Sequence, residues 1–180
     1  EQMILSRGDG VYVYDVNGKQ YLEGLAGLWC TSLGYNNQEL IQACSDQLGK
    51  LSFSHMFGGK THEAGMLLSE KIADMVPVKD AYVFFGNSGS DANDTLIKLI
   101  RYHAQVSGRP KKIKIIARER SYHGVTLGAA CLTGLQPMHT HFGLPFESIG
   151  VVRTGSAHYY RDSLPEESEK EFVGRLVSNL

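Results

Sequence analysis

Apolar and polar residues alternate in two short runs near the start of this 180-residue chain. The runs, residues 11–15 and 19–22, are rich in valine, tyrosine and leucine, and they flank the dipeptide Asn17-Gly18. Asn-Gly favours the positive φ angles of a tight turn between antiparallel strands. The pattern therefore predicts a β-hairpin close to the amino terminus.

Four later stretches carry apolar residues at every third or fourth position, the spacing of one helix face. The first covers residues 38–50, the second ends at Pro77, and the third ends near Gly108. The fourth opens at Ser163-Leu164-Pro165-Glu166, which has the spacing of a capping box. The residues expected to share one face of each of the first three helices are Leu40, Cys44, Leu48 and Leu51; Ala64, Leu68, Ile72 and Met75; and Ala92, Leu96, Leu99, Ile100 and His103. The buried face of the fourth is expected to comprise Phe172, Val173, Leu176, Val177 and Leu180.

Two short apolar runs on either side of the third helix, residues 81–85 and 112–117, predict buried strands. Strand, helix and strand follow one another at the spacing of a parallel crossover, which indicates an α/β fold. Residues 125–132 predict a short helix, 24–34 a loop, and 136–160 show no clear period. Since a final helix in such a fold should lead to another strand, the sheet is expected to be incomplete within these residues.

Composition and charge argue against several kinds of partner. The 18 basic and 19 acidic side chains nearly cancel, so neither nucleic-acid binding nor an acidic tail is indicated. Cys30, Cys44 and Cys131 form no CxxC pair, which favours a reducing, cytoplasmic setting. No apolar run approaches the roughly 20 residues of a membrane helix, so no membrane partner is expected.

The turn between residues 81–85 and the third helix contains Ser88, Gly89 and Ser90. The first amides of a helix have no partner within it and carry a partial positive charge. Gly89 would let an anion approach the backbone, and the two serines offer hydroxyl donors, which together favour a phosphate site. The spacing matches neither a Walker loop nor a dinucleotide GxGxxG motif. A simple helix cap would explain the same residues equally well.

An aromatic residue follows the next predicted strand, in the segment Ser121-Tyr122-His123-Gly124. Because parallel strands end at one edge of a sheet, Tyr122 is expected near the phosphate turn. There its ring would stack on a flat cofactor, a contact worth roughly 0.5–1.5 kcal/mol beyond the buried area. Taken alone, an ordinary loop tyrosine and a structural histidine are the commoner explanations of these residues.

Together these motifs resemble the class III aminotransferases, the ω-transaminase group of fold-type-I enzymes that use pyridoxal 5'-phosphate (PLP). The resemblance is carried by GNSGSDANDTLIKLIRY (86–102) and KIKIIARERSYHG (112–124), preceded in the same order by GDGVYVYDVNGKQYLEG, LWCTSLGY and HMFGGKTHE. It covers nearly the whole chain. It implies a mostly parallel large-domain sheet with a smaller α/β domain, in a homodimer whose active site lies at the subunit interface.

The same resemblance implies roles for individual residues. The expected cofactor-binding residues are Ser88, Gly89, Ser90, Tyr122, His123 and Gly124, and the expected substrate pocket is lined by Leu28, Trp29 and Phe57. Asp91 stands where glutamate is commoner in the family, which marks a subgroup. Residues 1–52 are expected to belong to the small domain and residues 53–180 to the first part of the large PLP-binding domain.

No catalytic residue is expected within this chain. In the family, the lysine that forms the Schiff base with PLP and the acid at the pyridine nitrogen lie later, beyond Leu180 here. Lys60 and Lys98 have no matching role. A polypeptide ending at Leu180 is therefore expected to be inactive.

The activity that the resemblance implies is transfer of an amino group from an amine or ω-amino acid to a keto acid, with pyruvate as the expected acceptor. Two alternatives remain open on the sequence: another PLP enzyme on this scaffold, such as a decarboxylase or aminomutase, and a non-catalytic phosphate-binding module. His139, His141 and His158 form only a weak metal pattern, so no metal is expected.

Overall fold

The alternating residues near the amino terminus form an antiparallel sheet in the computed structural model, which describes residues 2–180. Its strands are β1 (Leu5–Asp9), β2 (Tyr12–Asp15) and β3 (Gln20–Leu22), in the order β1-β2-β3. The predicted hairpin of β2 and β3 is confirmed. Strand β1 was not predicted from the pattern, because its sequence, LSRGD, contains mostly polar and small residues.

The hairpin turn differs in detail from the expected one. Only Gly18 takes a positive φ, of 82°, so the Asn-Gly pair does not adopt two left-handed residues. Asp15 instead organises the turn, because its Oδ1 accepts from the backbone N–H groups of Asn17 and Lys19, each over 2.9 Å. This is the three-residue hairpin loop in which a glycine occupies the final, left-handed position.

The predicted loop after β3 contains a left-handed helical turn, α1 (Ala26–Trp29). Its four φ angles lie between 49° and 67°, although Gly27 is the single glycine of the four. Each non-glycine residue in this conformation costs roughly 1–2 kcal/mol. The turn is therefore strained, and it leaves the side chains of Leu28 and Trp29 exposed.

The next two helices begin and end close to the predicted positions. Helix α2 (Gln38–Leu51) is capped by Asn37, whose Oδ1 accepts from the N–H of Leu40 over 3.1 Å. Helix α3 (Glu63–Met75) is capped in the same way by the imidazole of His62. The apolar residues that share one face of each helix are largely exposed in this chain, among them Leu40, Leu48, Leu51, Leu68 and Met75. No large apolar side chain of residues 2–82 except Val13 is buried, so this part of the chain supplies little cover for either helix.

Internal contacts divide the chain after Tyr82. This division concerns contacts among residues 2–180 and does not assign either part to a domain of a longer protein. The expected domain boundary between residues 52 and 53 therefore stays a prediction.

The second unit, from Val83 onwards, alternates helices with two parallel strands. Its elements are α4 (Gly89–Val106), β4 (Ile115–Arg118), α5 (Leu127–Leu132), β5 (Val151–Thr154), α6 (Tyr159–Asp162) and α7 (Glu169–Ser178), with short 3₁₀ helices at Gln136–Met138 and Glu147–Ile149. Strands β4 and β5 pair in parallel, with Ile115 opposite Val151 and Arg118 opposite Thr154. The α/β character predicted from the sequence is confirmed.

The pairing of the strands differs from the prediction. Residues 81–85 form no strand, and the side chains of Tyr82 and Phe84 are largely exposed. A strand needs a neighbour for its backbone hydrogen bonds, and no strand within residues 2–180 lies beside this segment. The parallel partner of β4 is β5, which the sequence did not reveal because four half-buried residues are too few to show a period.

The buried side of α4 is not the apolar face that the sequence indicates. Ile97 and Ala104 are buried, whereas Leu96 and Leu99 are about half exposed. Ser90, Asn93 and Asp94 precede Ile97 at helical spacing and share its face. These polar side chains are hydrogen-bonded to the backbone of the segment that α4 contacts. An apolar pattern alone therefore does not indicate the buried side of the helix.

The last helix begins later than expected. Ser168 caps it, and Ser168 and Glu171 form the capping box that was predicted five residues earlier. Glu166 has a φ of 64°, which excludes it from a right-handed helix. Phe172 is fully buried, but Val173, Val177 and Leu180 are exposed in this chain, contrary to the prediction. Within residues 2–180, no helix combines the length and apolar character that crossing a bilayer requires.

An ion pair ties α7 to the segment before it and gives a testable pH dependence. Arg175 donates from Nε to Glu167 Oε1 over 2.7 Å and from Nη2 to Oε2 over 2.8 Å. These bonds lower the pKa of Glu167 from 4.5 to about 2. A lowered carboxyl pKa stabilises the fold above the unfolded value, and the stabilisation is lost as the pH falls towards 2.

We expect Glu167→Gln to flatten the loss of unfolding free energy between pH 4.5 and 2, because glutamine cannot take up the proton. Urea unfolding at a series of pH values measures this change. Glu166→Gln, at an exposed neighbouring carboxylate, serves as the control. An acid dependence equal to that of the unmodified protein would contradict the assigned role of the pair.

Candidate cofactor site

The start of α4 presents free backbone donors. Ser88 is the N-cap, and its Oγ accepts from the N–H of Asp91 over 3.1 Å. Asp91 in turn accepts from the N–H of Asn87 through Oδ2, also over 3.1 Å, so the aspartate closes the turn on itself. No acceptor within residues 2–180 bonds the N–H of Gly89 or Ser90. These two amides are therefore available to an anion at the positive end of the helix.

Gly89 leaves the approach to these amides open. A side-chain carbon placed on Gly89 would have no atom within 4 Å, and its backbone does not take a positive φ. The protein itself would therefore accept a larger residue at this position. A side chain at position 89 would instead occupy the space through which an anion reaches the backbone amides.

The loop after β4 lies directly against this helix terminus. The N–H of Val125 donates to Ser90 Oγ over 3.0 Å. Because Ser90 uses a lone pair in this bond, its hydroxyl proton remains available for an anion. Gly124 makes the contact possible: its φ is 125°, and a Cβ on it would lie 2.4 Å from Ser90 Oγ. A residue other than glycine would separate the loop from the helix.

Polar residues on the same face of α4 extend this attachment. Asn93 donates from Nδ2 to the carbonyl of His123 over 2.6 Å, and Asp94 Oδ1 accepts from the N–H of Ala129 over 2.8 Å. Thr133, which directly follows α5, is hydrogen-bonded to the backbone of His123 and Gly124 in the same loop. None of these three residues was predicted from the sequence. Their helical spacing from Ser90 was the available signal for Asn93 and Asp94.

The structure brings together the two predicted cofactor-binding segments, residues 88–90 and 122–124. The ring of Tyr122 is exposed and His123 is half-buried, so the tyrosine ring is accessible on a loop whose Gly124 and Val125 contact the helix terminus. Leu28, Trp29 and Phe57 lie in the first unit, where all three are exposed. Their role in a substrate pocket, like the role of each cofactor-binding residue, stays a prediction.

The residues present fit a phosphate group. Two free amides and two serine hydroxyls are hydrogen-bond donors of the kind that bind phosphate in proteins without a metal. The helix dipole adds a partial positive charge at the same place. Among residues 2–180, no three His, Cys, Asp or Glu side chains are grouped closely enough to hold a metal ion. An α/β unit with this terminus, beside a loop that bears an exposed tyrosine, has the features of a protein that binds a phosphorylated aromatic cofactor.

The chain belongs to the class III aminotransferase family, whose sequence model matches residues 1–178. It is 46% identical over 179 residues to a probable gamma-aminobutyrate transaminase 3, mitochondrial, of Oryza sativa subsp. indica, covering 99% of the chain and 35% of that protein. It is also 46% identical over 181 residues to the vanillin aminotransferase of Capsicum annuum, covering 100% of the chain and 39% of that protein.

Solved structures agree with this assignment. The omega transaminase of Pseudomonas jessenii in complex with PMP matches with a TM-score of 0.95 and 44% identity, over 99% of the chain and 39% of that structure. The PMP-bound aminotransferase of Vibrio fluvialis matches with a TM-score of 0.93 and 37% identity, over 99% and 39% respectively. The expected fold-type-I architecture is thus confirmed, and the chain spans roughly a third to two-fifths of the length of these relatives. The family depends on PLP, so the predicted cofactor is confirmed as well.

The open space at Gly89 yields a direct test of the phosphate assignment. We expect Gly89→Val to weaken PLP binding about tenfold or more in the whole protein, because one lost charge-assisted hydrogen bond has an effect of that size. Titration of the PLP-free apoprotein with PLP, followed by absorbance, measures the change.

Gly174→Val is the matched control, since Gly174 also lies in a helix with no atom within 4 Å of its Cβ position. This variant should bind PLP as the unmodified protein does. Unchanged PLP affinity in Gly89→Val would show that the phosphate binds elsewhere.

Proposed function

We propose that the whole protein is a PLP-dependent aminotransferase that transfers an amino group from an amine or ω-amino acid to a keto acid, with pyruvate as the acceptor. One observation supports this most strongly: the free amides of Gly89 and Ser90 lie beside the loop of Tyr122 in a chain of the class III family. The coarse activity follows from the family. The substrates and the acceptor are the proposed part.

The names of the relatives support an amine or ω-amino acid as donor. Curated relatives are named gamma-aminobutyrate transaminases and vanillin aminotransferase. A similar thermostable omega transaminase was engineered for bulky amines at a tryptophan, a phenylalanine and an arginine. Its tryptophan and phenylalanine are 28 residues apart, as are Trp29 and Phe57 here. This shared spacing supports the proposal that Trp29, Phe57 and the adjacent Leu28 line the amine pocket.

The residues of this chain would bind and orient the cofactor. The Gly89 and Ser90 amides and the Ser88 and Ser90 hydroxyls would hold its phosphate, and Tyr122 would cover one face of its ring. When bound, PLP supplies the electron sink that amino transfer requires. His123 and Gly124 would act indirectly, by keeping Tyr122 and Ser90 in place.

The assembly and location of the whole protein are further parts of the proposal. We propose a homodimer with the active site at the subunit interface, in which residues 1–52 belong to the small domain and residues 53–180 to the large one. A cytoplasmic location is proposed from cysteine usage alone. The plant relatives are named mitochondrial or chloroplastic, so fractionation of the source cells is the appropriate measurement.

We expect Tyr122→Ala to weaken PLP binding or slow turnover about two- to tenfold, because the ring contact is worth roughly 0.5–1.5 kcal/mol. Tyr122→Phe keeps the ring and should be milder. Tyr160→Ala, at an almost fully exposed tyrosine outside the site, should have no effect. Equal behaviour of the Ala and Phe variants at position 122 would contradict ring stacking.

The activity itself is tested with the whole protein, PLP, pyruvate and a panel of donors that includes gamma-aminobutyrate and a benzylic amine. Formation of alanine from pyruvate is the expected result. Carbon dioxide release, or isomerisation of the donor without alanine, would show a decarboxylase or an aminomutase instead. We expect residues 1–180 alone to form no alanine, since none of their lysines lies in segments 86–90 or 121–134. Alanine formation by that polypeptide would contradict the proposal that the catalytic lysine lies elsewhere.

A further inference from the structure

We infer that Thr133 is a positioning residue for the loop of residues 121–126, and through it for the ring of Tyr122. The inference rests on the proposed function for its effect on PLP. The contact between threonine and loop can be tested without the cofactor.

Thr133 bonds two backbone groups of the loop with one hydroxyl. Its side chain is fully buried. Its Oγ1 accepts from the N–H of His123 over 3.0 Å and lies 3.1 Å from the carbonyl of Gly124, to which it donates. The carbonyl of Ala129 is a more distant acceptor, at 3.4 Å. A hydroxyl both accepts and donates, so threonine pairs two buried groups that valine, of the same shape, would leave unpaired.

Thr133 is itself held by the sheet. Arg153, on β5, donates from Nη2 to the carbonyls of Cys131 and Thr133, each over 2.7 Å, and from Nη1 to the carbonyl of Leu132 over 3.1 Å. The guanidinium thus pairs three carbonyls at the end of α5, which have no partners within that helix. The threonine is therefore attached to a strand, and the position of the loop follows that of the sheet.

The orientation of Tyr122 depends on this attachment because the tyrosine side chain has no hydrogen bond of its own among residues 2–180. The bond from the His123 N–H to Thr133 Oγ1 fixes the peptide that follows Tyr122. Asn93 fixes the carbonyl of His123, and the Val125 bond fixes the end of the loop against Ser90. Of these three attachments, the one at Thr133 is nearest to Tyr122 along the chain.

Three substitutions separate the hydroxyl from the volume of the side chain. Thr133→Val keeps the shape and removes the hydroxyl, whereas Thr133→Ser keeps the hydroxyl. Thr133→Cys supplies a weak thiol donor and acceptor and should be intermediate, and it replaces the valine variant if that variant fails to fold. Thr140→Val is the matched control, because its exposed hydroxyl bonds only to the carbonyl of Gln136.

The first measurement is hydrogen exchange of the His123 amide in the whole protein without PLP. We expect Thr133→Val to speed this exchange about tenfold relative to the unmodified protein, the size of one lost buried hydrogen bond. Thr133→Ser should restore slow exchange and Thr140→Val should leave it unchanged. Equal exchange in Thr133→Val and the unmodified protein would overturn the inference.

The second measurement is PLP binding, by titration and by circular dichroism of the bound cofactor. Thr133→Val should raise the PLP dissociation constant about fivefold and alter the visible circular dichroism, and Thr133→Ser should restore both. A variant with a lower melting temperature but an unchanged dissociation constant and spectrum would show that Thr133 has only a structural role. Failure of the unmodified protein to bind PLP would contradict the proposed function, while His123 exchange would still decide whether Thr133 holds the loop.

Discussion

The hydrogen bond from the Val125 N–H to Ser90 Oγ joins the start of α4 to the loop that follows β4. Without this contact, a helix terminus with free amides and a loop with an exposed tyrosine would be two unrelated surface features. The contact requires Gly124, because any side chain there would meet Ser90 Oγ and Ser90 Cα. This contact therefore places the helix terminus with its free amides next to the loop that carries Tyr122.

Polar side chains form much of the contact between α4, α5 and the loop that follows β4. Asn93, Asp94 and Thr133 lie between α4, α5 and the loop, and each is bonded to a backbone group. Backbone that leaves a strand for an irregular loop loses its sheet partners and needs others. Side chains that provide these hydrogen-bond partners hold the loop in one conformation, because hydrogen bonds require defined directions. Apolar packing alone would not fix the loop in this way.

The features that the sequence predicted depend on neighbours along the chain. Helices α2 and α3 were found because helical spacing and capping residues are local, and the turn at residues 88–90 because a small-residue segment preceded an amphipathic helix. The segment 81–85 was mispredicted since strand formation depends on a neighbour that is distant in sequence. The apolar pattern did not indicate the buried side of α4, because that side begins with serine, asparagine and aspartate, which form hydrogen bonds to the neighbouring backbone. Thr133 was missed for the same reason.

The left-handed turn Ala26–Trp29 has a consequence for variation in this family of catalysts. At a φ of 67°, Trp29 occupies a backbone conformation that glycine adopts freely and asparagine tolerates, while valine, isoleucine and threonine are strongly disfavoured. The backbone conformation therefore restricts which residues can replace Trp29, independently of any ligand. Random mutation and directed evolution should both replace Trp29 by glycine more readily than by valine, isoleucine or threonine.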